Sequence, residues 1–539
     1  MVGNNNSSNS KKPWSSLSAS TSSSPNEPHE ANEHTRLLPN RIDSTTGPVG
    51  PAPGPGGGYL SPSDPAVSPY NLFTVRLFRS LTILFTLLAF AWWVLLLVSV
   101  FVTPPGLHIR GSPFFAFSYA TVSLLTLIVL LLFFAVPSKS ARTLSFVTGG
   151  VLVVDVIMIL AVARLRHEEG VVGTISVVWA LLVAIWSGVV GRTVKWGKAE
   201  EEERLTGRPE TRRTVFEWSE VLLSTIALAC IAVAVILMTL TLTLRAVDSG
   251  ARPPGERYWV DEDKYQIHLH CVGNRTDGHG GKTITVLIEG GEDPVERGLW
   301  QFAEGAVKNG SIGRYCFADR PGMAWSDTAP SPLSASMASD VLSETLARAG
   351  EEGPWVLMSA GIGSLYSRVF SSRHGDQVHG ILMIDPLHED LLGRVARPGR
   401  GFWLWLRGFI SPCGIDRILG ALLRGRRSAD RIWGRASYQS GTTIFAKLQE
   451  SLVADSLTKR DVASSRAIQD KDTPVVVISS GKQLRKDREW EVKQRDLSHL
   501  TRYLEAWDIV EEAPHRVWDD LKGREVIEKR LERLVRFRL

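Results

Sequence analysis

A chain of 539 residues with 44% hydrophobic and only 22% charged residues is too long for one compact domain and places part of itself in lipid. The net charge of +5 and pI near 9.0 come without a basic block interleaved with aromatics, which argues against nucleic-acid binding. Four cysteines without a C-x-x-C pair argue against a structural zinc site or a thioredoxin-type motif.

Residues 1–70 are rich in Ser, Asn, Pro and Gly and bury too little apolar surface to offset chain entropy, so a disordered tail is expected. The tail opens without an apolar h-region, which argues against a cleaved secretory signal, and its scattered acids with few arginines argue against a matrix presequence. Within it, Glu33-His-Thr-Arg-Leu37-Leu38 fits the acidic dileucine pattern E-x-x-x-L-L that clathrin adaptors read on cytosolic tails of endosomal and vacuolar proteins. The competing reading is an ordinary solvated segment.

Five apolar stretches follow, Phe73 to Val102, Phe114 to Val136, Leu144 to Ala163, Val171 to Val190 and Val221 to Leu244, within a membrane region spanning 71–245. Each is long enough to cross about 30 Å of hydrocarbon. The loop 191–218 carries Arg192, Lys195, Lys198, Arg204, Arg208, Arg212 and Arg213, whereas the opposite loops offer Arg110, Arg164 and Arg166. The basic loop is therefore expected in the cytosol with the tail, and everything after Leu244 on the lumenal or outer side. Two sequons beyond the last span, at Asn274 and Asn309, agree with that orientation, although the tail also carries sequons at Asn5 and Asn6. Asp155, at membrane depth, reads as a helix-helix hydrogen bond in preference to a polar relay.

Residues 250–539 alternate strands with helices, the pattern of a mostly parallel sheet covered on both faces. Strands are expected at 265–271, 283–288, 313–317, 380–386 and 473–478, with a further one from Trp355 to Met358. After Met358 come two small residues, Ser359 and Ala360, then Gly361, and a helical run from Leu365. Before that, Asp319-Arg-Pro-Gly-Met-Ala324-Trp-Ser-Asp327 follows a strand. His268, His270 and His279 lack a matching set of acids or thiols, so no metal site and no cofactor are expected.

These features together resemble the α/β-hydrolase fold. The turn at Gly361 is similar to its nucleophile elbow G-x-S-x-G, and Asp319 to Ser326 to its D-R-x-G-x-G-x-S turn, with Ala324 where a glycine is usual. Counting from both strand and helix puts the nucleophile position at Gly361, so the resemblance implies a hydrolase fold whose catalytic hydroxyl is gone. The alternative nucleophile, Ser359, would place bulky Leu357 where the turn needs a small residue. The resemblance further implies an oxyanion hole from the N–H groups of Ile362 and the Gly290-Gly291 turn, a catalytic histidine at His515, and an acid partner at Asp385 or Asp487. It makes Cys271 and Cys316 neighbours on the second and fourth strands, where a disulfide is expected in an oxidising compartment and two buried thiols are the alternative. Residues 391–472 occupy the place of the helical cap, whose apolar runs edged with arginine read as plain packing or as a surface for the bilayer or an acyl ligand.

The whole plan also resembles a group of fungal multi-pass proteins labelled mitochondrial integral membrane proteins, which implies a location and no activity. The expected function is a five-span membrane protein displaying a nucleophile-less hydrolase-like domain as a binding or scaffolding module, at an endomembrane or the vacuole. The competing expectation is an active membrane-tethered serine hydrolase of lipid or ester substrates.

Overall fold

The computed structural model describes residues 68–207, 213–276 and 280–536. Glu33, Leu37 and Leu38, the tail sequons, Arg208, Arg212 and His279 lie outside them.

Among the described residues, five helices are long and apolar enough to cross a membrane: α1 Phe73–Phe101, α2 Pro113–Leu132, α3 Lys139–Ala161, α4 Ala163–Thr206 and α5 Val215–Asp248. Local chemistry sets their starts. Pro113 opens α2, the Ser138 hydroxyl accepts from the Ala141 N–H of α3, and Thr214 with Glu217 forms a capping box on α5. Helix α4 runs well past the expected end at Val190 because the Ala, Lys and Glu residues after Gly197 are strong helix formers outside lipid; it stops at Gly207, which takes φ 71°. At its other end α4 bends at Gly170 (φ 58°, ψ −156°), so the segment carrying Arg164 and Glu168 is helical and not the loop expected there. Asp155 is fully buried and accepts from the Tyr119 hydroxyl of α2 at 2.8 Å, a helix-helix hydrogen bond.

Eight strands form one sheet in the order β1-β2-β4-β3-β5-β6-β7-β8: β1 Glu256–Val260, β2 Tyr265–Gly273, β3 Thr285–Glu289, β4 Arg314–Ala318, β5 Trp355–Ala360, β6 Val378–Ile384, β7 Val475–Ser480 and β8 Leu504–Val510. β2 pairs antiparallel with β1 and β4, and all later pairs are parallel. This is the α/β-hydrolase sheet. Its central strands are buried on both faces, which explains their unbroken apolar runs. Val286, Ile288, Met358 and Ile384 face one core with helix α6 (Leu299–Lys308) and the helix Leu521–Arg536. The alternate residues Leu287, Leu357, Ile381 and Met383 face the other, near α7 (Ala335–Arg348) and α8 (Gly363–Arg373). Leu357→Ala would cost about 2–5 kcal/mol on this account. Cys271 and Cys316 are register partners on β2 and β4 and form a disulfide.

The cap docks onto the membrane helices. Its helix Pro398–Ile410 crosses α2 so closely that a Cβ on Gly408 would stand 2.2 Å from the Phe114 ring. Asp248, at the end of α5, accepts from cap residues Arg417 (2.8 Å) and Arg431 (3.0 Å from its Nε). Thr328, beyond β4, donates to the backbone carbonyl of Gly111 at 2.7 Å, and Ser331 to that of Phe101 at 2.8 Å. The fold thus fixes the sheet's loop end against the ends of the bundle.

Candidate functional site

The strand β5 continues through Ser359 and Ala360, two residues beyond its last large side chain, and breaks at Gly361 with φ 48°. A left-handed residue between a strand and α8 is what a nucleophile elbow requires, and glycine takes it without the cost a side chain meets. Hydrogen bonds from Gly361 N–H to the Ile384 carbonyl (3.1 Å) and from Leu387 N–H to the Gly361 carbonyl (2.9 Å) tie the turn to the end of β6. Ser359 lies inside β5, in register with Glu289 and Met383; its side chain is fully buried and its hydroxyl has no hydrogen-bond partner. It does not reach the turn.

At the end of β6, Asp385 takes φ 43° and accepts from His515 Nδ1 at 2.6 Å, from the Trp490 indole at 2.9 Å and from the Ser480 N–H at 3.3 Å. Asp487 is elsewhere: it caps the helix Arg488–Ser498 and pairs with Arg394. Of the two candidate acids, Asp385 therefore meets His515.

The residue that completes the site is Glu292, which the sequence reading passed over. The ideal Cβ of Gly361 would fall 2.7 Å from each of its carboxylate oxygens. One oxygen accepts from the Ile362 N–H at 3.3 Å and the other faces His515 Nε2 at 3.2 Å. The backbone N–H of Glu292 itself also favours the charged form of this carboxylate, and Gly290 and Gly291 lie just before it, past the end of β3. Arg320, from the D-R-x-G turn, fixes this loop by donating to the Gly291 carbonyl while pairing with Glu289 (3.7 Å) and the cap's Glu450 (3.5 Å). Ala324 takes φ 38°, which explains why a glycine is usual there.

Charge follows from this geometry. Burial acts to lower the His515 pKa, but hydrogen bonds to Asp385 and Glu292 and their charges raise it to about 10. Burial acts to raise the Glu292 pKa, yet the same His515 contact, its own N–H and Arg320 bring it down to about 2. An imidazolium held between two carboxylates has no lone pair with which to take a proton from a nucleophile. The pair lies at the mouth, with the Glu292 side chain 49% exposed, so water screens it.

His268, Glu296 and Asp319 meet behind the site, all buried and with ligand-type atoms within 4.8 Å of one another. The sequence reading found no matching partner set for His268, His270 and His279; the structure gives His268 two acidic neighbours, from the loops after β3 and β4, which spacing along the chain does not bring together. Burial raises Glu296, and Asp319 to about 7, while it lowers His268. His268 Nδ1 pairs with Asp319 at 2.8 Å, while His268 Nε2, both Glu296 oxygens and one Asp319 oxygen have no hydrogen-bond partner, so the three residues form a group that could hold a metal ion. His270 packs among Trp300, Tyr315 and Phe317.

A family model described as a region of unknown function (DUF2417) matches residues 33–271. An uncharacterized protein of Schizosaccharomyces pombe is 32% identical over 542 residues, covering 94% of this chain and 97% of that one. The chain belongs to the family of that protein. An uncharacterized vacuolar membrane protein of Saccharomyces cerevisiae is 28% identical over 325 residues, 52% of this chain and 50% of its own length. The location in that name is vacuolar, and the mitochondrial label implied by the sequence resemblance finds no support among these relatives. Solved structures similar to the sheet domain include a carboxylesterase of Nitrososphaera gargenis (13% identity, 52% of this chain and 98% of that one, TM-score 0.38) and an esterase of Exiguobacterium antarcticum (12%, 52% and 100%, TM-score 0.37). The fold assignment rests on the strand order and the elbow, and the esterase chemistry in those titles belongs to those proteins.

Proposed function

We propose that this is a membrane-anchored α/β-hydrolase-like domain that does not hydrolyse and instead serves as a binding or scaffolding module. The observation that carries this reading is the Glu292 carboxylate, which stands where a nucleophile at 361 would be, takes the Ile362 N–H and keeps His515 protonated. An anion seated there imitates the oxyanion that the turn of an active relative would stabilise. A serine-directed fluorophosphonate should leave the full-length protein unlabelled.

The lumenal orientation draws support from the Lys/Arg asymmetry and from the exposure of Asn274 and Asn309. A vacuolar or endomembrane address fits the budding-yeast relative's name, and the tail pattern Glu33, Leu37 and Leu38 would deliver it through a sorting adaptor. Leu37→Ala with Leu38→Ala should then move the protein off that membrane; unchanged location removes the adaptor. The lipid bilayer is a partner also of the cap, where Phe402, Trp403, Leu422 and Leu423 are exposed and would rest on lipid or receive an acyl chain.

A further inference from the structure

A cavity of about 480 Å³ lies away from the elbow, where the membrane helices meet the domain. Its wall comes from the start of α4, the end of α5, the segment from Ala324 to Asp327 and the cap. Six arginines line it, Arg110, Arg164, Arg245, Arg257, Arg417 and Arg431, with His167 beside them. They face four carboxylates, Glu168, Glu169, Asp248 and Asp327, of which Glu169 sits behind Arg245. Positive charge is therefore in excess inside a walled chamber.

The donors are not used up. Arg110 gives its Nε to the Lys264 carbonyl (2.8 Å) and lies over the Trp259 ring, and Arg257 touches Asp327 only at 3.5 Å. Arg417 is nine-tenths buried, yet its Nε has no hydrogen-bond partner. In an adjoining cleft that shares Arg245, Arg417, Ser440 and Thr442, the buried hydroxyls of Ser112 and Thr241 are also unpartnered. Burial lowers the Arg417 pKa, and Arg245 and Arg431 push it the same way against the pull of Asp248. Buried polar groups without partners are rare enough to point to something that satisfies them.

We infer that this cavity binds a phosphate group, presented by an anionic phospholipid headgroup. Several guanidinium forks converging on one chamber match an oxyanion with several acceptors and more than one charge, and the chamber has the size of ordinary ligand sites. Its position at the ends of α4 and α5 is the level at which headgroups lie. The inference is independent of the elbow, because none of Glu292, Gly361, Ile362, Asp385 and His515 lines this cavity.

The test uses the full chain in neutral-detergent micelles, titrated calorimetrically with short-chain phosphatidic acid, short-chain phosphatidylcholine and inorganic phosphate. Saturable phosphatidic acid binding is expected, weaker in high salt and about tenfold weaker in Arg257→Gln and in Arg110→Gln, the loss of one charge-assisted bond. Both side chains sit at the rim with few partners, so the variants should fold, which thermal unfolding checks. Inorganic phosphate binding as tightly as the lipid would keep the site and make its source a soluble phosphate. No saturable binding of either, or binding unchanged in both variants, overturns the inference.

Discussion

Each carboxylate oxygen of Glu292 stands 2.7 Å from the point that a Cβ on Gly361 would occupy. The two residues are mutually exclusive as built: a side chain at 361 requires the carboxylate to swing away. The space that a side chain at 361 would enter is thus held by an anion. With Asp385 on the other ring nitrogen, His515 sits between two carboxylates, whereas a hydrolytic triad sets its histidine between an acid and a nucleophile.

That line has a pH signature. The folded pKa of His515, about 10, lies above its ordinary 6.5, so its stabilisation is full below 6.5 and is lost as pH rises through 10. Glu292 is depressed to about 2, so its contribution is full above 4.5 and is lost as pH falls through 2. The His515 imidazole should therefore still be protonated at pH 8 by nitrogen chemical shift, and Glu292→Gln should lower its pKa. A wild-type titration near 6.5 contradicts the arrangement.

Asp248 holds the cap to α5. Asp248→Ala would leave Arg417 and Arg431 buried without their shared carboxylate, a loss of about 3–5 kcal/mol. The unfolding midpoint should fall, and proteolysis should open the segment 411–440 first. An unchanged midpoint would show that the pair is not held this way.

Much of this site was legible in the chain. The elbow register followed from small residues placed between an apolar strand and a helix, and His515 from its place before the last helix. Choosing Asp385 over Asp487 needed the sheet, because both follow strands and only distance separates them. Glu292 was missed because a glutamate after two glycines reads as an ordinary polar turn; the signal was its place in the oxyanion loop opposite an emptied nucleophile position. The span boundaries shifted where helix propensity outlasts hydropathy, as in α4 beyond Val190. The pocket of arginines was invisible, since its members are spread from Arg110 to Arg431 and only folding gathers them.

The Cys271–Cys316 bridge closes a sequence separation of 45 residues between neighbouring strands. Replacing both with serine should cost about 3–4 kcal/mol in the chain-entropy account, read as a lower denaturation midpoint of the full chain. Free thiols at both positions in non-reduced, denatured protein would contradict the bridge.

Glycan mapping tests the orientation. Asn274 and Asn309 are both exposed, with Asn309 also donating to Glu528 at 3.3 Å, so Asn274 is the better acceptor. Replacing both with Gln should abolish any glycosidase-sensitive shift. Digestion of the sheet domain by protease added to intact organelles would reverse the topology.

Fluorophosphonate labelling of the full chain tests the emptied elbow most directly. Wild type should not label, and Gly361→Ser alone should label weakly because Glu292 still crowds the new hydroxyl and holds His515 protonated. Gly361→Ser combined with Glu292→Ala should label strongly, and His515→Ala should then abolish it, since removing one member of such a unit costs on the order of a million-fold. Thermal unfolding must first show each variant folded, because a serine at φ 48° costs about 1–3 kcal/mol. Labelling of the wild type that vanishes with Ser359→Ala would contradict the account and make the protein a serine hydrolase.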